Sequence, residues 1–233
     1  MNEGIKTTQQ TVTRSDSIVK LLYKLSNRLV YRGIKRLFDI IVASVGLLAL
    51  LPIAIVVKIS YLASGDYEKI FFVQKRIGRN GKLFNFYKFR TMIPNADEEL
   101  ERLLRENREL KEEYRINKKL SNDPRITKMG RILRRTSLDE LPQVINILLS
   151  QMSVIGNRPY LPKEKDDMGV YYNTVVSTKP GLTGYWQVHG RSDVTFEKRV
   201  ELETYYSEHC GLIMDIGIFF KTIKVVLFGR GAK

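Results

Sequence analysis

The sequence predicts a helix-rich α/β chain with a minor β-sheet, anchored to a membrane through its N-terminal part. Three observations lead there. Ile40 to Val57 is a run of 18 residues without a charge. Lys69 to Phe89 carries a hairpin signal, and apolar residues recur at helical spacing through much of the remainder. With 233 residues, 43% hydrophobic and 27% charged, the chain can bury a core and is no disordered segment. The formal charge of +14 points to an anionic partner: nucleic acid, a phosphorylated substrate or acidic lipid. Cys210 is the single cysteine, and His189 and His209 are the only histidines. That excludes an internal disulfide and leaves little for a thiolate or imidazole metal site. A metal here should be a hard ion held by carboxylates and phosphates, and the compartment should be reducing.

The first 36 residues are no secretory signal, since basic residues are spread throughout them. From Ser15 onward a helix is expected, with Ser15 or Ser17 as its cap. Ile18, Leu21, Leu22, Leu25 and Leu29 fall on one face; Lys20, Lys24, Arg28 and Arg32 fall on the other. Such a helix suits a membrane surface, or packs on its own domain. The uncharged run that follows spans roughly 27 Å as a helix, marginally short of a hydrocarbon core. It is apolar on every face, which favours membrane insertion over a buried core helix.

Charge then decides the topology. The twenty positions ending at Asp39 hold six Lys and Arg, and the twenty beginning at Lys58 hold four. With both flanks basic, a single span has no favoured orientation. Pro52 removes a backbone bond past the middle of the run. The expectation is a re-entrant hairpin broken at Pro52, both flanks staying in the cytoplasm. The chain then divides into a basic amphipathic segment (1–33), a re-entrant helix (34–62) and a cytoplasmic catalytic domain (63–233).

Within that domain, Gly78 and Asn80-Gly81 mark a turn between two short strands. Pro94 to Lys119 reads as one exposed, highly charged helix. Leu141 to Leu149 reads as a buried helix opening near Pro142, and Asp193 to Glu208 as another helix. Leu212 to Phe228, apolar but carrying Asp215, Lys221 and Lys224, suits an interfacial helix with snorkelling lysines.

Seven basic residues and no acid lie between Lys69 and Arg90, and five more between Arg125 and Arg135. The sign reverses at Asp139-Glu140. No DNA- or RNA-binding signature accompanies the basic clusters, so no nucleic acid is expected as partner. An adjacent carboxylate pair beside arginines suits phosphoryl transfer: arginines clamp phosphate oxygens while a carboxylate attacks phosphorus or helps hold Mg²⁺. The competing reading of Ser137 to Glu140 is a capping box, which puts Pro142 inside the first turns, where its ring clashes. A helix starting at Asp139 fits Pro142 better and sets a carboxylate at a positive helix end.

The strings KRLFDI, FVQKRIGRNGKLFNFYKFRTM, DPRITKMGRILRRTSLDELPQ, MSVIGNRPYLP and KPGLTGYWQVHGR, in this order, resemble the bacterial sugar transferase family, the monotopic polyprenyl-phosphate phosphoglycosyl transferases. The likeness runs from Lys35 to about Ala232. It implies transfer of a sugar-1-phosphate from a UDP-sugar to undecaprenyl phosphate with release of UMP, opening capsule, exopolysaccharide or O-antigen assembly. It also implies Mg²⁺ and a re-entrant anchor on the cytoplasmic face of the bacterial cell membrane, beside anionic lipids. Larger members add spanning helices, and this chain resembles the minimal catalytic form. By resemblance Asp139 is the nucleophile, forming an aspartyl phospho-sugar, and Glu140 assists with Mg²⁺ or proton handling.

Arg158 lies in the family's Arg-Pro segment, where Asn157 replaces the usual proline and is expected to loosen or reshape the turn. At Leu51-Pro52 the family's frequent Ser-Pro has lost its hydroxyl. Lys88 and Arg90, with Arg125, Arg131, Arg134 and Arg135, either clamp the diphosphate or face lipid headgroups. Asp123 reads as a turn cap, His189 as a satisfied polar residue, Cys210 as inert. Gly181, Gly184 and Gly190 around Trp186 indicate a tight connection. The sugar (glucose, galactose or an N-acetylated one) and the oligomeric state, a homo-oligomer included, stay open. Two other classes are a non-catalytic scaffold of a polysaccharide assembly complex and a membrane-tethered nucleic-acid-binding protein.

Overall fold

A computed structural model describes residues 2–117, 120–190 and 194–228, with side chains from Arg28 to Lys224. The chain forms two units, Met1–Phe38 and Asp39–Lys233. Helix α1, Asn2–Ala63, contributes to both. It is already helical ahead of Ser15 and Ser17, so neither serine starts it. The faces expected to carry Lys20 and Lys24 lie outside the described side chains.

Pro52 sits inside α1 and does not end it, correcting the expected break. A proline inside a helix removes one donor, and the turns on either side keep theirs. Those turns also share a seat: Ala43, Leu50, Val57 and Tyr61 are buried, while Val45, Leu48, Leu51, Ile55, Val56 and Ile59 are exposed. The seven-residue steps from Ala43 to Leu50 to Val57 keep one face on the domain. Among the described residues, Arg28–Ala63 is the one helix long and apolar enough to cross a membrane. Both ends of the apolar run are fastened to the domain. Asp39 Oδ1 accepts from Ser153 Oγ at 2.9 Å and from the Val154 N–H at 2.8 Å. The Tyr61 hydroxyl donates to the Arg90 carbonyl.

Strands β1, Phe71–Ile77, and β2, Leu83–Phe89, pair antiparallel with Phe71 opposite Phe89 and Ile77 opposite Leu83. The turn falls on the expected residues: Asn80 and Gly81 both take positive φ, at 56° and 78°. The charged segment is two helices, α2 (Ala96–Glu106) and α3 (Arg108–Asn117). Asn107 adopts extended backbone between them, and its Oδ1 accepts the N–H groups of Glu109 and Leu110. An asparagine that competes for helix N–H groups starts a second helix here, where one was expected.

Next come α4 (Lys128–Arg135), capped by Thr127 through Gly130 N–H, and α5 (Gln143–Leu148). A second sheet pairs β3, Ser153–Ile155, parallel with β4, Gly181–Thr183. Short helices α6 (Tyr172–Val175) and α7 (Tyr185–His189) flank β4. Helix α8, Phe196–His209, is capped by Thr195, and α9 is Leu212–Phe228. A core of Ile77, Tyr160, Met168, Val175, Val176, Phe196 and Val200 joins the hairpin to α8. On α9, Ile213, Ile216 and Phe220 are exposed, while Asp215 is buried and accepts the Tyr206 hydroxyl.

Candidate active site

Asp139 and Glu140 occupy a single turn of 3-10 helix, Leu138–Glu140, entered through Ser137 at φ 57°. Ser137 makes no side-chain cap bond, so the capping box is absent. The helix expected from Asp139 begins only at Gln143. Pro142 has no N–H to return to Leu138, and the chain instead closes a tight turn with Leu141 N–H donating to Leu138 O. Helix α5 then pins this turn to β2. Asn146 Nδ2 donates to Asn85 O at 2.6 Å, and Asn146 Oδ1 accepts the Tyr87 N–H at 3.1 Å. The residue after Tyr87 is Lys88, so register carries its ammonium toward the dyad.

The other wall is α4. A Cβ on Gly130 would lie 1.9 Å from Thr91 O, so α4 meets the strand end backbone to backbone. That approach lets Arg134 Nε donate to Thr91 Oγ1 at 3.1 Å. Burial raises the Asp139 carboxyl above its ordinary range, and the cations of Lys88 and Arg134 pull it back. Glu140 is pushed up to about 7, by burial first and then by the charge of Asp139. Lys88 is drawn down to about 8 by burial and by Arg134, and its Nζ lies 5.2 Å from the Phe72 ring centroid. The charges of Arg158 and Arg76 also act on Glu140 and oppose its rise. Arg76 Nη1 donates to Pro159 O at 3.0 Å and its guanidinium lies over Phe86.

Arg158 stands on a turn fixed by main chain. Gly156 N–H donates to Thr183 O, and Gly181 N–H donates to Asn157 O at 2.7 Å. Cβ atoms on Gly181 or Gly184 would lie 2.1 Å from Gly156 backbone, the tight connection expected of these glycines. Asn157 does not loosen the turn. It is buried, and Nδ2 donates to Val175 O at 2.9 Å and Ser207 Oγ at 2.7 Å, with Thr178 Oγ1 a weaker shared contact at 3.3 Å, holding by side-chain bonds what proline would hold by its ring. The Arg158 N–H donates to Glu203 Oε1 at 2.7 Å, and its Nη2 lies 3.9 Å from Glu164.

The remaining basic residues divide by partner. Arg90 is buried and spends its donors on both Asp66 oxygens, Lys69 O and Met92 O, over the Tyr61 ring. Arg125 is 6% exposed and bidentate to Asp123, with Ala96 O on Nη1. Both fasten loops, and neither has a free edge for phosphate. Arg131 and Arg135 are exposed on α4. His189 is satisfied, by Tyr185 O on Nδ1 and Lys221 Nζ on Nε2. Sequence reasoning missed Arg76, Thr91, Tyr160, Glu164, Arg199 and Glu203. Each is ordinary in composition, and what marks them is burial.

No group of three or more metal-ligating side chains occurs among the described residues. Asp139 and Glu140 are two hard, adjacent carboxylates whose mutual repulsion already raises Glu140. That donor set fits a hard divalent ion completed by phosphate oxygens.

Comparison with known proteins places the sequence in a family. The family model described as bacterial sugar transferase matches residues 30–229. The chain is 43% identical over 201 residues to the exopolysaccharide production protein ExoY of Rhizobium meliloti, covering 85% of this chain and 87% of that one. It is 41% identical to the undecaprenyl-phosphate galactose phosphotransferase of Salmonella typhimurium, over 91% of this chain and 45% of that protein. To the UDP-glucose:undecaprenyl-phosphate glucose-1-phosphate transferase of Escherichia coli it is 33% identical, over 83% of this chain and 40% of the other. The matched span takes in the hairpin, the carboxylate turn and the Arg158 loop alike, and on that evidence the chain belongs to the bacterial sugar transferase family.

Proposed function

We propose that this protein transfers a sugar-1-phosphate from a UDP-sugar to undecaprenyl phosphate at the cytoplasmic face of a bacterial membrane, releasing UMP, in capsule, exopolysaccharide or O-antigen assembly. The observation that carries the reading is Asp139, set between the cations of Lys88 and Arg134 and raised by burial. A poorly hydrated carboxylate kept ionised by two cations is a competent nucleophile toward phosphorus. Its oxygen attacks the phosphorus bearing the sugar, the bond to the UMP oxygen breaks, and an aspartyl phospho-sugar remains. The phosphate oxygen of undecaprenyl phosphate then attacks the same phosphorus and frees Asp139. No net proton is required in either step.

Lys88 and Arg134 neutralise charge gathering on the phosphoryl oxygens, and Arg158 holds a substrate phosphate. When bound, Mg²⁺ held by Asp139 and Glu140 would neutralise phosphate charge. The fastening of both Asp39 and Tyr61 to one domain supports an anchor that keeps both ends of the apolar run on one side of the membrane, with the helix unbroken at Pro52. The test is UMP release from UDP-sugars in the presence of undecaprenyl phosphate, with radiolabelled sugar phosphate mapped on the protein. Asp139→Asn should lower turnover by about three orders of magnitude or more and abolish the label. Near-normal turnover of that variant would sink the assignment.

A further inference from the structure

Helix α8 carries a guanidinium that the roles above leave idle. Arg199 is 4% exposed, with its guanidinium 4.6 Å from the Trp186 ring centroid and 6.0 Å from that of Phe196. Its Nε is buried without a hydrogen-bond partner, and no carboxylate of the described residues forms an ion pair with it. Two acids lie nearby, and their charges support the Arg199 guanidinium without pairing with it, Glu203 keeping one oxygen, Oε2, buried and unbonded. Glu203 Oε1 holds the Arg158 N–H, and Glu164 Oε2 holds the Leu161 N–H. Arg158 is fastened one helical turn further along α8, through its N–H on Glu203, so the two guanidinium groups share this corner; burial and the Arg158 charge depress Arg199, and Glu203 and Glu164 partly offset them. Arg158 Nε and Trp186 Nε1 are also buried without partners.

Two guanidinium groups held out of water with donors unspent are unfavourable as pure architecture, even with Glu164 at 3.9 Å from Arg158. A methionine or leucine would fill the same space over Trp186 at no electrostatic cost. A tetrahedral anion with several oxygens reverses the balance, since it accepts from both guanidinium groups and separates their charges.

We infer that Arg199 and Arg158 together form a phosphate-binding site, with Arg199 as its unassigned half. The inference rests on the reaction proposed above, which supplies two sources of the ligand: the diphosphate of the nucleotide sugar and the monophosphate of the lipid acceptor.

The test uses the purified full chain in detergent, wild type against Arg199→Met and Arg199→Lys. Binding of UDP and of pyrophosphate is followed by calorimetry, and KM for undecaprenyl phosphate by UMP release. If the donor diphosphate occupies the site, both variants bind UDP and pyrophosphate about tenfold or more weaker, while KM for the lipid holds. If the acceptor phosphate does, the lipid KM rises about tenfold and UDP affinity holds. In either case Arg199→Met unfolds at or above the wild-type temperature, because a buried unpaired charge has been removed. Unchanged UDP, pyrophosphate and lipid constants in both variants would overturn the inference. So would an Arg199→Met that loses stability while Arg199→Lys matches wild type throughout, the pattern of a purely structural cation. A wild type that binds pyrophosphate but releases no UMP refutes the proposed reaction, and the calorimetric comparison still decides the site.

Discussion

The carboxylate of Glu203, wholly shielded from solvent, accepts the main-chain N–H of Arg158 at 2.7 Å. Burial lifts this carboxyl from 4.5 to about 7, and the neighbouring Tyr160 hydroxyl and the bond from the Arg158 N–H only partly restrain it. A folded value above the unfolded one means that the group's stabilising contribution is complete below about 4.5 and lost as pH rises through about 7. Glu140 has the same sign. The unfolding temperature should therefore fall between about pH 5 and pH 8, and fall less steeply in Glu203→Gln. Thermal scans across that range check it, and an unchanged slope in the variant would count against the shift.

Lys88 should govern the acid limb of the pH–rate profile. Its charge lowers the Asp139 carboxyl against the burial that raises it. Removing the charge in Lys88→Met lets the Asp139 carboxyl rise further. The acid limb should therefore move to higher pH, with turnover below the limb reduced and recovering as pH rises, and Lys88→Arg intermediate. A parallel fall at every pH would show that Lys88 does not act on Asp139 ionisation.

Gly130→Ala should be among the costliest single-methyl changes in the chain. The new Cβ would meet Thr91 O at 1.9 Å, and both sides of that contact are backbone. We expect a loss of about 3 kcal/mol in denaturant unfolding. The surviving folded fraction should also turn over slowly, since α4 cannot shift without moving Arg134 away from Thr91.

Topology is testable with single cysteines in a Cys210→Ser background. Thr8→Cys and Lys163→Cys should both resist a membrane-impermeant thiol reagent in intact cells and label once the membrane is opened. Labelling of only one in intact cells would mean that the apolar run spans.

The sequence was legible where local chemistry is decisive. Asn80-Gly81 forces positive φ and therefore announces its hairpin, and the apolar stretch of α9 begins and ends where its composition suggests. The three-residue strands β3 and β4 carry no such signal, being too short for alternation and held by contacts 28 residues apart. Basic residues were misread for a related reason: a string shows the charge of Arg90 or Arg125 but not that Asp66 or Asp123 already holds it. Glu203 and Arg199 are four residues apart on α8, among Glu197, Lys198 and Glu201, and nothing local distinguishes buried charges from solvated ones. Asn157 looked like a loss against proline because its acceptors come from distant segments.

The stripe of Ala43, Leu50, Val57 and Tyr61 makes part of the apolar helix a structural wall of the unit Asp39–Lys233. Gly46 brings the helix so near α5 that a Cβ there would lie 2.7 Å from the Val144 side chain, in the helix directly after the dyad. A protease that trimmed the chain back to Ala63 would accordingly not liberate a water-soluble enzyme. It would strip the cover from Val144, orphan the hydroxyl of Ser153 and the N–H of Val154, and leave a sticky, misassembled remnant. Solubilising this protein is thus a matter of replacing the lipid around the helix, by detergent or by recoding its outward residues such as Leu48 and Leu51, and not of amputating it.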